Sequence, residues 1–190
     1  MALSLTKIHG DSIMLIAGYD IETTGLDVAE DRICELALIM RDTDTSKDVL
    51  SYVRRVNPEK RISPKASKIH GIMDGDLVGA PLFKNIAPLL VKIFDRVDII
   101  VGHNLISFDM PLTVHELIRC GVTLSSNAKI FDTMANGRWA TSDGKFPTLK
   151  ELCWSLDVEY DTNDAHQAEY DVRKTLECFQ RGVNLDLFLI

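Results

Sequence analysis

A short apolar run that ends in two carboxylates one residue apart limits the folds open to this chain more than any other stretch. Residues 12–19 read Ser-Ile-Met-Leu-Ile-Ala-Gly-Tyr, the length of a buried strand. Asp20-Ile21-Glu22-Thr23-Thr24-Gly25 follows directly. On a strand, side chains at i and i+2 point to the same face, so Asp20 and Glu22 aim at one region of space. Two like charges there repel unless a cation sits between them. Thr23, Thr24 and Gly25 then turn the chain and offer hydroxyls and backbone amides. Most such acid pairs are solvated strand ends, so the rest of the chain has to decide what this one is for.

The pattern that follows predicts strands first and helices later. Residues 13–20, 32–41 and 49–56 read as three strands separated by short polar linkers, which fits an antiparallel meander. Residues 81–94 carry apolar residues at helical spacing (Leu82, Ile86, Leu89, Leu90, Ile93), with Pro81 near the start. Residues 97–101 form a fourth strand, 110–120 a helix closed by Gly121, and 129–131 a fifth strand. Residues 136–147 are a polar loop. Thr148 caps a helix over 148–156, with Glu151 completing a capping box. The last helix covers 165–181. Strands that lead and then alternate with helices predict an α/β fold with a mixed five-stranded sheet flanked by helices.

A chain of 190 residues suits one domain with a sizeable core. The net charge of -7 argues against a passive polyanion binder, but not against an enzyme that meets phosphates through bound cations. One stretch runs against this balance: between residues 54 and 68 stand Arg54, Arg55, Lys60, Arg61, Lys65 and Lys68 against the single acid Glu59. It reads either as a solvated loop or as a phosphate-contacting rim. Cys34, Cys120, Cys153 and Cys178 form no Cys-x-x-Cys pair and read as reduced, mostly buried thiols of a cytoplasmic protein. The opening residues are too short and polar a stretch for a signal peptide, and no apolar stretch reaches membrane-spanning length.

Two further acidic motifs follow the first. The fourth strand leads into Gly102-His103-Asn104-Leu105-Ile106-Ser107-Phe108-Asp109, a small residue and then polar groups at a strand end, where α/β sheets form their sites. By itself Asp109 reads as a helix N-terminal acid. The last helix is entered through His166-Gln167-Ala168-Glu169-Tyr170-Asp171. His166 and Asp171 are five apart, off one helical stripe, but meet a common point if His166 sits in the loop or first turn.

Taken in order, these motifs resemble the His-bearing branch (DEDDh) of the DEDD 3′–5′ exonucleases. Ile62-Ser63-Pro64, Ile69-His70-Gly71-Ile72, Phe131-Asp132-Thr133 and Leu149-Lys150-Glu151-Leu152-Cys153 also look like landmarks of that family, and the resemblance covers residues 13–181. It implies an RNase H-like fold and two divalent cations, Mg²⁺ or Mn²⁺, held by Asp20, Glu22, Asp109 and Asp171. His166 then takes the proton from the attacking water, since an imidazole titrates near neutrality. It further implies that Thr23, Thr24 and Gly25 clasp the terminal 3′-OH of a single-stranded or frayed DNA end. Leu26 wedges against the last base, Phe108 and His70 wall the terminal nucleotide, and Asn104 meets sugar or phosphate. Leu26 and Phe108 have a plain core reading beside this one. Two alternatives stay open: an RNA 3′-trimming exonuclease, and a polymerase or clamp accessory that keeps the fold without the activity.

The division drawn from sequence is an exonuclease domain over 1–181 and a C-terminal tail over 182–190. Asn184-Leu185-Asp186-Leu187-Phe188 resembles the bacterial sliding-clamp binding pentapeptide, with Asn in place of the usual leading Gln. That implies a clamp as partner. The other reading is an apolar end packed on the domain or on a second subunit.

Overall fold

The computed structural model describes residues 14–190. The opening polar residues and Ile13, the expected start of the first strand, lie outside the described residues. Five strands form one sheet in the order β3-β2-β1-β4-β5. β1 (Leu15–Thr23), β2 (Ile33–Asp42) and β3 (Asp48–Arg55) make the antiparallel meander; β4 (Ile99–Gly102) and β5 (Lys129–Asp132) join parallel to β1 and to each other. β1 is therefore central, with an antiparallel neighbour on one side and a parallel one on the other. It runs three residues past its expected end, so Asp20 and Glu22 stand on the strand itself, opposite Ala37 and Glu35 of β2.

The alternation along β1 sorts the two layers. Ala17, Tyr19 and Ile21 pack with Phe83, Leu90 and Phe94 of α2 (Phe83–Phe94) and Leu112 and Leu117 of α3 (Met110–Arg119). Tyr19 meets the Phe94 ring edge-on and shares a buried 2.9 Å hydrogen bond with Thr113. Ile16 belongs to the opposite face, with Leu152 and Cys153 of α5 (Leu149–Ser155) and Val172, Leu176 and Phe179 of α6 (Ala168–Asn184). Gly18 lies on that same face, and α6 crosses it so closely that a Cβ there would stand 2.7 Å from Leu176 Cγ and 2.8 Å from Val172 Cγ1. The next same-face residues of β1 are Asp20 and Glu22. All four cysteines are free thiols, three buried and Cys120 half-buried. No helix among the described residues is long and apolar enough to cross a membrane.

Several elements differ from the sequence expectation. A helix α1 (Pro64–His70) rises from the basic stretch, capped by the Ser63 side chain, which accepts from the Ala66 amide. Gly71 closes it at φ 74°. Ser-Pro at the start and Gly after the end are regular helix signals, but seven residues are too few to show an apolar period. α2 starts at Phe83 and α6 at Ala168, each later than expected. A π-helical turn (Leu105–Asp109) runs straight into α3, so Asp109 sits within a helical stretch and makes no side-chain cap bond. α4 (Thr133–Asn136) and a 3₁₀ turn (Arg138–Ala140) fall at the edge of and inside the expected polar loop. The Thr148–Glu151 capping box forms as the spacing predicts, with bonds of 2.8 and 3.2 Å.

The chain end does not stand away from the domain. α6 continues through Gly182 to Asn184, and the chain then turns back so that the Leu187 and Phe188 amides reach the Gly182 carbonyl. Phe188 is buried at 2% exposure, with its ring 5.2 Å from Phe131 and 5.6 Å from Trp139. Gly182 makes room for it, since a Cβ there would meet the ring at 2.3 Å. Residues 182–188 thus close the α5/α6 layer. Replacing Phe188 by Ala removes a buried ring and is expected to lower the unfolding free energy by about 3–5 kcal/mol, read as a lower urea midpoint. An unchanged midpoint would show that the ring adds nothing to the core.

Candidate active site

At the end of β1 the chain leaves the sheet through a tightly braced turn. Thr23 and Thr24 are both buried. The Thr23 hydroxyl donates to the Gly25 carbonyl (2.6 Å) and the Thr24 hydroxyl to Asp31 Oδ1 (2.8 Å). The Thr24 amide bonds the Arg32 carbonyl. Both hydroxyls are thus turned into the loop, and what the turn presents outward is Leu26, 67% exposed. Asp31 organises this loop: it also accepts from the Asp27 amide (3.0 Å) and from Lys60 Nζ (2.7 Å), which holds its carboxyl below the usual range. Gly25 leaves space for that carboxylate, 2.3 Å from where a Cβ would be. Behind it the buried Glu116 carboxylate pairs with Arg32 and Arg119, and Arg119 reaches the Ala29 and Asp31 carbonyls. This network ties the loop to α3.

β4 opens the second wall. Asn104, at φ 69°, turns the chain out of the strand. The buried Asp132 at the end of β5 accepts amides from Asn104 and Ile106 (3.0 Å each), Met134 (2.9 Å) and Ala135 (3.2 Å). His103 lies 3.0 Å from both Thr133 Oγ1 and the Pro147 carbonyl. A carbonyl only accepts, so Nε2 carries the proton; burial pushes the ring below its usual titration range and keeps it neutral. The π turn then delivers Asp109, whose carboxylate accepts from the Ile21 amide at 3.2 Å. That bond joins two of the acidic motifs directly.

The third wall is the entry to α6. His166 adopts φ 63° in the turn before the helix, and its amide donates to Asp171 Oδ2 at 3.1 Å. That contact explains how residues five apart serve one place. Tyr160 adds a hydroxyl 3.4 Å from Asp171 Oδ1. Across the cavity, His70 donates from Nε2 to the Thr23 carbonyl (3.2 Å) and accepts the Ile72 amide at Nδ1 (3.1 Å). It is a brace for the β1 turn as well as a cavity wall.

These walls enclose one open cavity of about 1040 Å³. Asp20, Glu22, Thr23, Thr24, Gly25, Leu26, His70, Asn104, Phe108, Asp109, His166 and Asp171 all line it, so every site residue expected from sequence comes to one place. Of the six basic residues between 54 and 68, only Lys65 lines the cavity; Lys60 is spent on Asp31 and Arg55 pairs with Glu35. Asp31, Tyr160 and Phe146 are parts of the site's wall or framework that the motifs did not include, and His103 and Asp132, which stand within quoted motifs without a role, turn out to brace it.

Burial and mutual repulsion raise the acids together. Burial pushes Asp20 well above the carboxylate range, with Asp109, Glu22 and Asp171 adding to it. Glu22 is pushed up to about 8 by burial and then by Asp171. Asp109 and Asp171 are raised by burial too. Among the described residues no three His, Cys, Asp or Glu side chains stand close enough to hold an ion as they are. The cluster is an open one whose members feel one another without sharing a ligand point. Its chemistry nonetheless suits a hard cation: every donor is a carboxylate oxygen, and positive charge is what the crowded acids lack.

The model of the exonuclease family matches residues 17–179. The chain is 31% identical over 167 residues to the DNA polymerase III subunit epsilon of Treponema pallidum, covering 85% of this chain and 73% of that one. It is 30% identical over 164 residues to the PolC-type DNA polymerase III of Ureaplasma parvum, of which it spans only 11%. Among solved structures, E. coli exonuclease I in complex with a dT13 oligonucleotide superposes with a TM-score of 0.76 at 21% identity, over 91% of this chain and 42% of that one. The zinc-bound complex of the same enzyme with single-stranded DNA gives 0.78 at 20% identity, over 92% and 42%. With a family model that matches residues 17–179, nearly all of the described residues, this chain belongs to the exonuclease family.

Proposed function

We propose that this chain is a metal-dependent 3′–5′ exonuclease that releases nucleoside 5′-monophosphates from the 3′ ends of DNA. The observation that carries the reading is the meeting of Asp20, Glu22, Asp109, Asp171 and His166 on one cavity from three separate parts of the chain. The choice of DNA draws support from the relatives, which are DNA polymerase III chains, and from the structure of exonuclease I in complex with a dT13 oligonucleotide, which shares the fold.

Asp20, Glu22, Asp109 and Asp171 would hold two divalent cations, Mg²⁺ or Mn²⁺. When bound, such ions stabilise charge on the scissile phosphate and ready a water for attack. His166 takes the proton from that water, as a base held at the cavity's edge by the tie of its own amide to Asp171. Asp20 lies between Glu22 on its own strand and Asp109, whose bond to the Ile21 amide keeps the two acids in register. Leu26 and Phe108 grip the terminal base, His70 and the buried threonines set the shape of the clasp, and Asn104 meets sugar or phosphate. A clamp partner at Asn184–Phe188 has less support, because Phe188 would have to leave the core to bind. The free thiols accord with a reducing, cytoplasmic setting.

His166→Ala and Asp20→Ala are expected to abolish digestion of a 5′-labelled single strand with folding intact; near-wild-type turnover by the His166 variant would remove it as the base. A descending ladder on DNA in Mg²⁺ or Mn²⁺, absent in EDTA, is expected, and a ladder on RNA alone would move the substrate to RNA.

The raised acids also predict a pH effect. In the fold they keep protons to higher pH than in the unfolded chain, where carboxylates titrate near 4. Stability without cations therefore falls as pH rises from about 5 through Glu22's value of about 8. In thermal melts at pH 8, Mg²⁺ should raise the midpoint, and Asp20→Asn should do so without Mg²⁺. Each kcal/mol gained appears as about 2–4 °C for a chain of this size. A cation-free midpoint that does not move between pH 5 and 8 would refute the crowding.

A further inference from the structure

The cavity is larger than one terminal nucleotide needs, at the top of the roughly 300–1,000 Å³ range of small-molecule sites. The wall opposite α1 is made by the segment that leads into α5, where Phe146, Leu149 and Lys150 line it. Phe146 is 53% exposed, a large apolar ring lining a cavity that also holds the acid cluster. It is not loosely held. The Arg138 guanidinium sits 5.0 Å from its ring centroid, and Arg138 Nε donates to the Gly144 carbonyl at 2.6 Å. The Thr141 hydroxyl holds the Lys145 carbonyl at 2.9 Å, and on the other side His103 holds the Pro147 carbonyl. The backbone on both flanks of the ring is therefore fixed, and Arg138 lies over one face of the ring, which leaves the other face for stacking. Lys150, in the first turn of α5, also lines this wall, with its ammonium resting 4.5 Å from the Trp154 ring centroid.

A rigid exposed aromatic with cations next to it, continuous with a phosphodiester-cleaving site, is the arrangement that binds single-stranded nucleic acid without regard to sequence: bases stack on the ring and cations meet the backbone. The geometry points to Phe146 as a stacking platform for a base upstream of the 3′-terminal nucleotide, with Lys150 meeting the adjoining phosphate. This rests on the proposed nuclease reading, but the platform can be tested by binding alone.

The test measures affinity in EDTA for fluorescein-labelled dT10 and U10 by anisotropy, and for thymidine 5′-monophosphate by competition. F146A and F146W are compared with the parent chain, with matching thermal melts as the fold control. Loss of one stacked base is worth roughly 5- to 100-fold. The expected result is that F146A weakens the ten-mers by about tenfold relative to the mononucleotide and that F146W restores them. Equal loss for ten-mers and mononucleotide, or none for either, overturns the platform. Digestion of the same strands in Mg²⁺ reads the nuclease proposal separately. A chain that binds through Phe146 but cleaves nothing would sink that reading and leave the platform standing.

Discussion

Four carboxyl groups are held at one end of the sheet against their own repulsion, and much of the structure serves to keep them there. Left to themselves, buried acids of one sign would separate or take up water. Here each is fixed by something it cannot easily leave. Asp20 and Glu22 are fixed by the central strand, which is paired on both sides. Asp109 is fixed by the Ile21 amide, and Asp171 by a helix packed on bare backbone. The cost appears as carboxyl groups that keep their protons well past the usual range. A site so charged is poised to take up positive charge, which is why a protein with a net charge of -7 is no worse placed to meet a phosphate.

Around this cluster lies a set of braces with no direct part in chemistry. Asp31 gathers Thr24, Asp27 and Lys60, Asp132 gathers four amides, and the buried Glu116 is matched by two arginines. Each satisfies backbone or charge that burial would otherwise leave unpaired. Each also stops a loop where a wall of the cavity has to be. The two kinds of acid in this molecule are thus distinguishable by their surroundings: the braces are each matched by several donors or cations, whereas the acids at the sheet end are buried with fewer donors and raised by that burial.

The sheet was legible because strands and helices have different periods, and strands grouped early in the chain left little choice but a meander followed by crossovers. Asp20 and Glu22 were legible for the same reason, since a period of two puts them on one face. Asp109 and His166 were not readable from local pattern. One lies in a π turn and the other at positive φ, and neither backbone state leaves a periodic trace in the residues. They were found because whole motifs resemble a family. Seven-residue α1 escaped because it is too short to show an apolar period, and the inward turn of the Thr24 hydroxyl because its partner Asp31 meets it only after the loop closes. The chain end was open to two readings from sequence, because a short apolar motif looks the same whether it is offered to a partner or folded under its own helix; here Phe188 packs against Gly182.

Gly18 shows how the acidic cluster can be governed from outside itself. Because α6 rests on a strand position with no side chain, the distance between the two acids carried by β1 and Asp171 on α6 is set by the absence of a methyl group. The glycine is a gauge rather than a hinge. Any side chain larger than hydrogen there would act as a shim between two layers, moving Asp171 away from Asp20 and Glu22 without replacing any acid. The spacing of the acids across the two layers is thus fixed by a residue that has no chemistry of its own.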